Sequence, residues 1–218
     1  FRSFTNHPYK RVSGKSLSAY RYYYTLKNLG AVRTGSIIFL ILNIILRILY
    51  FVFPESLTRA QNYPEFNYTN WIYICITPLF LGGSYLFIYL FNRQKKADML
   101  MAMFVFAFAC YIIFCGMYSS FIATSDPRNA LTLYLTALSI ISVVFVFESA
   151  ETIILIVMTE LVFTYLLYYT AAEPMEMVYD QIISFTLLFC FYFISRYFYS
   201  YKSTYFIQLM DIRDKNIA

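Results

Sequence analysis

Charged side chains and histidine are scarce in this chain of 218 residues. Only 13% of the residues are Asp, Glu, Lys or Arg, and the single histidine is His7. An ordinary soluble domain is about 25% charged, so this composition argues against the usual globular class. With one histidine, paired histidine ligation of a haem is excluded as well.

Motifs for catalysis and metal binding are also missing. The four cysteines lie inside apolar runs and form no CxxC pair, which argues against a zinc or redox site. No HExxH, P-loop, GxSxG or GxGxxG pattern is present. We therefore expect no catalysis, no cofactor and no metal within these residues.

Long apolar runs are what the chain does contain. Hydrophobic residues make up 60% of it, and its mean hydropathy is +0.58. A helix needs about 20 mostly apolar residues to cross a bilayer, and six runs come near that length. The sequence thus predicts an all-α integral membrane protein, a six-transmembrane helix bundle. The predicted spans are residues 35–53, 71–91, 99–122, 130–147, 152–170 and 181–199.

The positive charges are placed asymmetrically around these spans. Of the 17 Lys and Arg residues, Arg59 and Arg128 lie in the loops of one side and Arg47 lies inside a span. All the others fall toward the opposite side, with Arg196 at that end of the sixth span, and the positive-inside rule assigns this side to the cytoplasm. We expect a multi-pass protein of the cell membrane with both termini cytoplasmic. The net charge of +5 then faces lipid head groups, and no nucleic-acid partner is expected.

Three regions follow from this pattern. Residues 1–34 form a basic cytoplasmic lead-in, in which the run SAYRYYYTLKNL predicts either a short interfacial helix or a flexible tail. Residues 35–199 form the membrane domain. Residues 200–218 lack Gly and Pro and alternate acid with base, which predicts the start of a cytoplasmic coiled-coil signalling helix. We expect the chain to be part of a longer protein.

Ionisable residues inside spans are costly, so each is a candidate for function. Glu160 lies near the middle of the fifth span, with Thr164 one turn further along the same face. Arg47 lies in the first span, with Asn43 one turn away. A pair between Arg47 and Glu160 would neutralise both charges. Such a pair either senses a ligand or signal or merely locks two helices, and Arg47 can also extend toward the interface.

Two further sites are predicted at turns and breaks. Glu148 and Glu151, between spans four and five, predict either a clamp onto the basic lead-in or the second loop, or a solvated turn. Their short connection predicts an antiparallel hairpin of those spans. Pro78, Gly82 and Gly83 interrupt the second span and predict a hinge, a cavity or simple close packing.

The order of these features is similar to that of a known group of sensors. The lead-in ends in LKNLGAVRTGSIIFLILNIILRILYF, spans four and five join through FVFESAETIIL, and FYFISRYFYSYK runs into IQLMDIRDKNIA. This resembles the six-span N-terminal sensor regions of bacterial membrane signalling enzymes, above all those attached to GGDEF diguanylate cyclases. Similar regions precede histidine kinases and class III adenylyl cyclases. The resemblance implies a homodimer and a signalling enzyme as the parent protein.

The favoured hypothesis is a sensory input domain and membrane anchor that regulates such an output through the sixth helix. Its expected partners are the lipid bilayer, a second copy through the C-terminal helix, and a hydrophobic small-molecule ligand. The alternative is a small transporter or channel that uses Arg47 and Glu160 inside the membrane. Only the second span shows a Pro/Gly break, whereas transporters often repeat such a break in each half.

Overall fold

Helices account for almost all of the chain where its structure is described. The computed structural model describes residues 14–53, 63–94, 97–122, 131–170 and 174–217. Within them there are six helices and no strand. They are α1 (Gly14–Val52), α2 (Tyr63–Gln94), α3 (Met99–Ile122), α4 (Thr132–Val144), α5 (Ser149–Thr170) and α6 (Pro174–Ile217).

Five of the described helices are long and apolar enough to cross a membrane, which makes this an all-α, multi-pass membrane protein. Large apolar side chains such as Ile38, Leu42 and Ile45 of α1 are about half exposed on the outside of the bundle. Such a surface suits lipid, because the helices satisfy their backbone hydrogen bonds internally. The remaining helix, α4, is apolar but has only 13 residues.

The first and last helices are much longer than a bilayer crossing requires. α1 has 39 residues and α6 has 44, which correspond to about 58 Å and about 66 Å. The hydrocarbon core is about 30 Å thick, so both helices extend beyond it. The run at residues 18–29 is a direct extension of the first span, because α1 has no break there. The start of the lead-in, residues 1–13, lies outside the described residues.

α3 lies at the centre of the bundle. It packs against α1, α2, α4 and α5, while α1 pairs most extensively with α2 and α6 packs on α4 and α5. The buried face of α3 carries Met101, Val105, Phe108 and Ile113. Van der Waals packing along this face holds the two halves of the bundle together.

Small residues permit close approaches between α3 and its neighbours. A Cβ atom built on Gly116 would lie 2.6 Å from the Cβ of Ala137 and 2.7 Å from the carbonyl oxygen of Leu133, both on α4. A Cβ atom on Gly83 would lie 2.7 Å from the ring of Phe104. Glycine at these positions therefore lets α3 contact α4 and α2 at backbone distance.

The beginning of α1 and the end of α6 meet at one end of the bundle, here termed the base. The ring of Tyr20 lies 5.3 Å from that of Phe206 and 6.1 Å from that of Tyr199, between centroids. Val146, in the connection between α4 and α5, belongs to the same buried cluster. The base thus joins the start of α1, the end of α6 and the α4–α5 connection.

The connection between α4 and α5 differs from the predicted one. It comprises residues 145–148, whereas residues 148–151 were expected, so Glu151 lies in the first turn of α5. The two helices are antiparallel, as the hairpin prediction requires, because Tyr134 near the start of α4 stacks on Phe163 in the second half of α5. α4 nevertheless packs more extensively on α3 and α6 than on α5.

Candidate functional site

The most unusual local structure is the break in the helical path after α4. Helix α4 ends at Val144, and Phe145 has extended backbone angles of −90° and 152°. Residues 143–147 are all β-branched or aromatic, types that lose side-chain freedom in a helix. Phe145, Val146 and Phe147 are at most 5% exposed. Their backbone groups therefore need partners other than water.

Asn28 of α1 supplies both partners for Val146. Its side-chain Nδ2 donates to the carbonyl oxygen of Val146 at 2.8 Å, and its Oδ1 accepts from the Val146 N–H at 3.0 Å. Asn28 is 4% exposed, so no water competes for these bonds. One side chain thereby imitates a neighbouring β-strand for a single residue.

Arg196 of α6 occupies the other side of the break. Its Nη2 donates to the carbonyl oxygen of Phe147 and, at 2.8 Å, to Oγ1 of Thr152. Its guanidinium carbon lies 4.8 Å from the ring centroid of Tyr199. The side chain is 2% exposed, and within the described part of the chain no carboxylate forms an ion pair with it. A buried cation is thus held by neutral acceptors and an aromatic face.

Lys202, also on α6, completes the set of bonds. Its Nζ donates to the carbonyl oxygens of Val143 at 2.8 Å and Val144 at 3.0 Å. These are the last carbonyls of α4, which have no partner within the helix. The side chains Asn28, Thr152, Arg196 and Lys202, here called the clamp, therefore hold the break from α1, α5 and α6.

The two glutamates of the connection act differently from each other. Glu148 accepts from Nε of Arg21 and from the hydroxyl of Tyr24, both at 3.1 Å. Of the predicted alternatives, this geometry matches a contact with the basic lead-in. Glu151 instead accepts the N–H of Glu148 at 2.8 Å and caps the first turn of α5. The lysines of the second loop, Lys95 and Lys96, lie outside the described residues.

Glu160 lies in a polar cluster between α5 and α6. Its carboxylate accepts hydrogen bonds from Nε2 of Gln181 and, at 2.8 Å, from Oγ of Ser184. Gln181 also contacts Oγ1 of Thr164 at 3.2 Å. The sequence spacing therefore grouped Glu160 correctly with Thr164, and the structure adds two donors from α6.

An apolar groove of about 410 Å³ runs beside this cluster. Leu161, Phe185, Leu188 and Tyr192 contribute to its walls, and Glu160 is the charged residue at its edge. Its composition matches that of ligand sites in general, which are mostly apolar with a few polar groups that fix orientation.

Arg47 has other partners than the predicted one. It donates to the side-chain oxygen of Asn67 and, at 3.0 Å, to the Asn67 carbonyl oxygen, and its guanidinium lies 4.3 Å from the ring centroid of Trp71. One turn away, Asn70 donates to Oδ1 of Asn43 at 2.9 Å. The predicted Arg47–Glu160 pair is not formed, because α1 pairs with α2 at this level, whereas Glu160 faces α6.

Helix α2 is continuous from Tyr63 to Gln94, although Pro78, Gly82 and Gly83 were predicted to interrupt it. Thr77 donates to the carbonyl oxygen of Tyr73 at 2.6 Å, next to Pro78. Gly83 packs on Phe104, whereas a Cβ atom on Gly82 would meet nothing within 4 Å. Close packing therefore describes Gly83, and a hinge at Pro78 and Gly82 stays a prediction.

The clamp formed by Asn28, Thr152, Arg196 and Lys202 was not predicted from the sequence. Arg196 and Lys202 were assigned to topology alone, and Asn28 was not singled out. A signal for the break was present in the run VVFVF at 143–147, which contains no good helix former. Arg196, three residues before the predicted end of the sixth span, was a second signal.

The described residues hold no group of three or more His, Cys, Asp or Glu that could bind a metal. Comparison of the chain with protein-family models, with curated proteins and with solved structures finds no match.

Proposed function

We propose that this chain is a membrane-embedded sensory input domain that regulates a cytoplasmic output through α6. The observation that carries the proposal is the set of contacts along this one helix. Gln181 and Ser184 bind Glu160, Arg196 and Lys202 hold the break, and the helix then continues without interruption to Ile217.

A continuous helix is suited to carry a displacement from one site to another. From Gln181 to Lys202 the helix rises about 32 Å, at about 1.5 Å per residue. A ligand that changed the contacts of Glu160 would shift or rotate α6, and the clamp would transfer that movement to the break. Such a device needs two arrangements of similar free energy, of which the stimulus favours one.

The groove beside Glu160 is the proposed site of the stimulus. Its apolar walls and single carboxylate suit a hydrophobic small molecule with a polar head that replaces Gln181 or Ser184 as hydrogen-bond partner. The groove opens toward lipid, so the bilayer itself supplies the route of entry.

We propose that α4 and the extended segment after it make a sixth crossing. This would explain why the start of α1 and the end of α6 meet at the base. The start of α1 and the end of α6 lie at the same end of the bundle, which favours an even number of crossings. α4 measures about 20 Å and three extended residues add about 10 Å, which together match the hydrocarbon thickness. The positive-inside rule supports a position of the base at the cytoplasmic face of the cell membrane.

The output is proposed from the resemblance described above. A GGDEF diguanylate cyclase is the first candidate, followed by a histidine kinase or an adenylyl cyclase, so the parent protein would be a signalling enzyme. Such outputs work as homodimers. Leu209 and Ile212, which are 40% and 57% exposed near the end of α6, supply apolar surface for a second copy.

The decisive experiment inserts one to four alanines after Gln208 in the complete gene product, expressed in its native membrane. Each residue rotates the following helix by about 100°, so a signalling helix gives an output that rises and falls with the insertion length. Cyclic di-GMP is measured first, then autophosphorylation and cyclic AMP. The same alanines inserted after Gln94 are the control. An output that ignores the insertion length at both places would refute transmission through α6.

A small transporter or channel is the second candidate, and the break after α4 is the observation that favours it. Transporters place interrupted helices at their substrate sites. Against this, the clamp already occupies the backbone groups of the break, and the described parts of the other helices show no matching interruption. Solute flux in proteoliposomes that is abolished by Glu160→Gln and Arg47→Gln would favour the transporter.

A further inference from the structure

A second cavity lies at the base, between α1, the end of α4 and α6. Its volume is about 230 Å³, and it is more enclosed than the groove at Glu160. Tyr20, Tyr23 and Lys27 line it from α1, Val146 from the break, and Lys202 and Tyr205 from α6. Two ammonium groups and several phenol rings therefore share one small space.

Neither lysine has a carboxylate partner among the described residues. Lys27 lies 5.6 Å from the ring centroid of Tyr23, and Lys202 binds the two carbonyl oxygens at the end of α4. The carboxylate of Glu148, which accepts a hydrogen bond from the cavity-lining Tyr24, forms its ion pair with Arg21. An ammonium group has three donors, so Lys202 keeps one for a further acceptor. The cavity thus carries uncompensated positive charge.

We propose that this cavity binds the phosphate group of an anionic phospholipid. The phosphate would accept from Lys27 and Lys202, with the tyrosine rings around it. Val144 of α4, which lines the cavity and is exposed, supplies apolar surface for the acyl chains. Basic pockets between helices at the cytoplasmic side of a membrane are the usual form of such sites.

The charge of the cavity and its position distinguish lipid from other occupants. The cavity lies at the end of membrane-crossing helices, where head groups are concentrated, and Val144 and Val146 give it an apolar part. This inference does not depend on the proposed sensory function, because the site follows from the two lysines and the cavity alone. It does share Lys202 with the clamp.

The test measures lipid binding to the purified chain in mild detergent by native mass spectrometry. The probes are dioleoyl phosphatidylglycerol and dioleoyl phosphatidylcholine. Lys27→Gln and Lys202→Gln should each weaken phosphatidylglycerol binding about fivefold, in line with the usual worth of one basic residue at a lipid head group. Phosphatidylcholine binding should stay unchanged.

Three controls make the outcome decisive. Arg93→Gln removes one exposed cation outside the cavity, and an equal loss there would show diffuse attraction and overturn the proposal. Lys202→Arg keeps the charge and the donors, so it should keep the lipid preference. Lys27 lies outside the clamp, so Lys27→Gln should fold. Complete displacement of phosphatidylglycerol by excess inorganic phosphate would assign the site to a soluble anion and overturn the lipid as its occupant.

Discussion

The side chain of Asn28 binds both backbone polar groups of Val146, although the two residues are 118 positions apart in the chain. The amide of Asn28 donates to the Val146 carbonyl and accepts from the Val146 N–H, as a paired strand would. This contact fixes the extended segment after α4 against α1. The lead-in helix is thus part of the bundle and takes part in its packing.

Replacement of this asparagine should destabilise the whole bundle. Asn28→Leu fills similar space but leaves the N–H and the carbonyl of Val146 buried without partners, at about 1–3 kcal/mol for each group. We expect the free energy of unfolding in detergent, measured by titration with SDS, to fall by about 3 kcal/mol. Asn92→Leu, at an exposed site near the end of α2, should unfold like the parent chain. Equal stability of the two variants would contradict the pairing.

Arg196 should control whether the break stays closed. Arg196→Met removes the donor to Phe147 and Thr152 and leaves one buried carbonyl unpaired, so we expect a loss of about 1–3 kcal/mol. Chymotrypsin should then cleave within residues 145–147, which the parent chain protects. Arg93→Met, at an exposed position of α2, serves as the control. Continued protection of the segment in Arg196→Met would show that the clamp does not depend on this arginine.

Two glycines offer a matched test of helix packing. Gly116→Ala puts a methyl group against the backbone of α4 and should cost about 1–3 kcal/mol by overpacking. Gly82→Ala enters open space and should leave stability unchanged or raise it by about 0.5–1 kcal/mol, because alanine favours the helix. Thermal unfolding of both variants in detergent gives the comparison. A similar midpoint for the two would mean that α3 and α4 do not approach at Gly116.

Hydropathy predicts where helices cross, but it does not predict where they end. The third predicted span, 99–122, agrees with α3, because polar residues bound the apolar run on both sides. α1 and α6 run far beyond their predicted spans, since backbone hydrogen bonding continues wherever no Gly or Pro stops it. The fourth span was placed up to residue 147, although α4 ends at Val144. Apolar character alone does not distinguish a buried helix from a buried extended segment.

The sequence predicts which site residues share one face of a helix. It does not predict which residues of another helix contact them. The four-residue spacing of Glu160 and Thr164 correctly put both on one face of α5. Their partners Gln181 and Ser184 depend on which face α6 presents, and that is set by the packing of the whole bundle. For the same reason the predicted pair of Arg47 and Glu160 was wrong. Each side chain instead contacts neutral partners on a neighbouring helix.

The stability of Glu160 variants distinguishes between a structural role and a functional role for this carboxylate. Glu160→Leu removes a charge whose presence in the hydrocarbon costs about 3 kcal/mol, and it also removes two charge-assisted bonds of about 1.5 kcal/mol each. These effects nearly cancel, so we expect the free energy of unfolding to change by no more than about 1 kcal/mol. SDS titration gives the free energy of unfolding of Glu160→Leu and Glu160→Gln. Asn28→Leu, measured in parallel, shows the size of a structural loss. A loss as large as that of Asn28→Leu would make Glu160 a structural residue. A stable variant would instead indicate that the carboxylate is retained for a ligand in the adjoining groove.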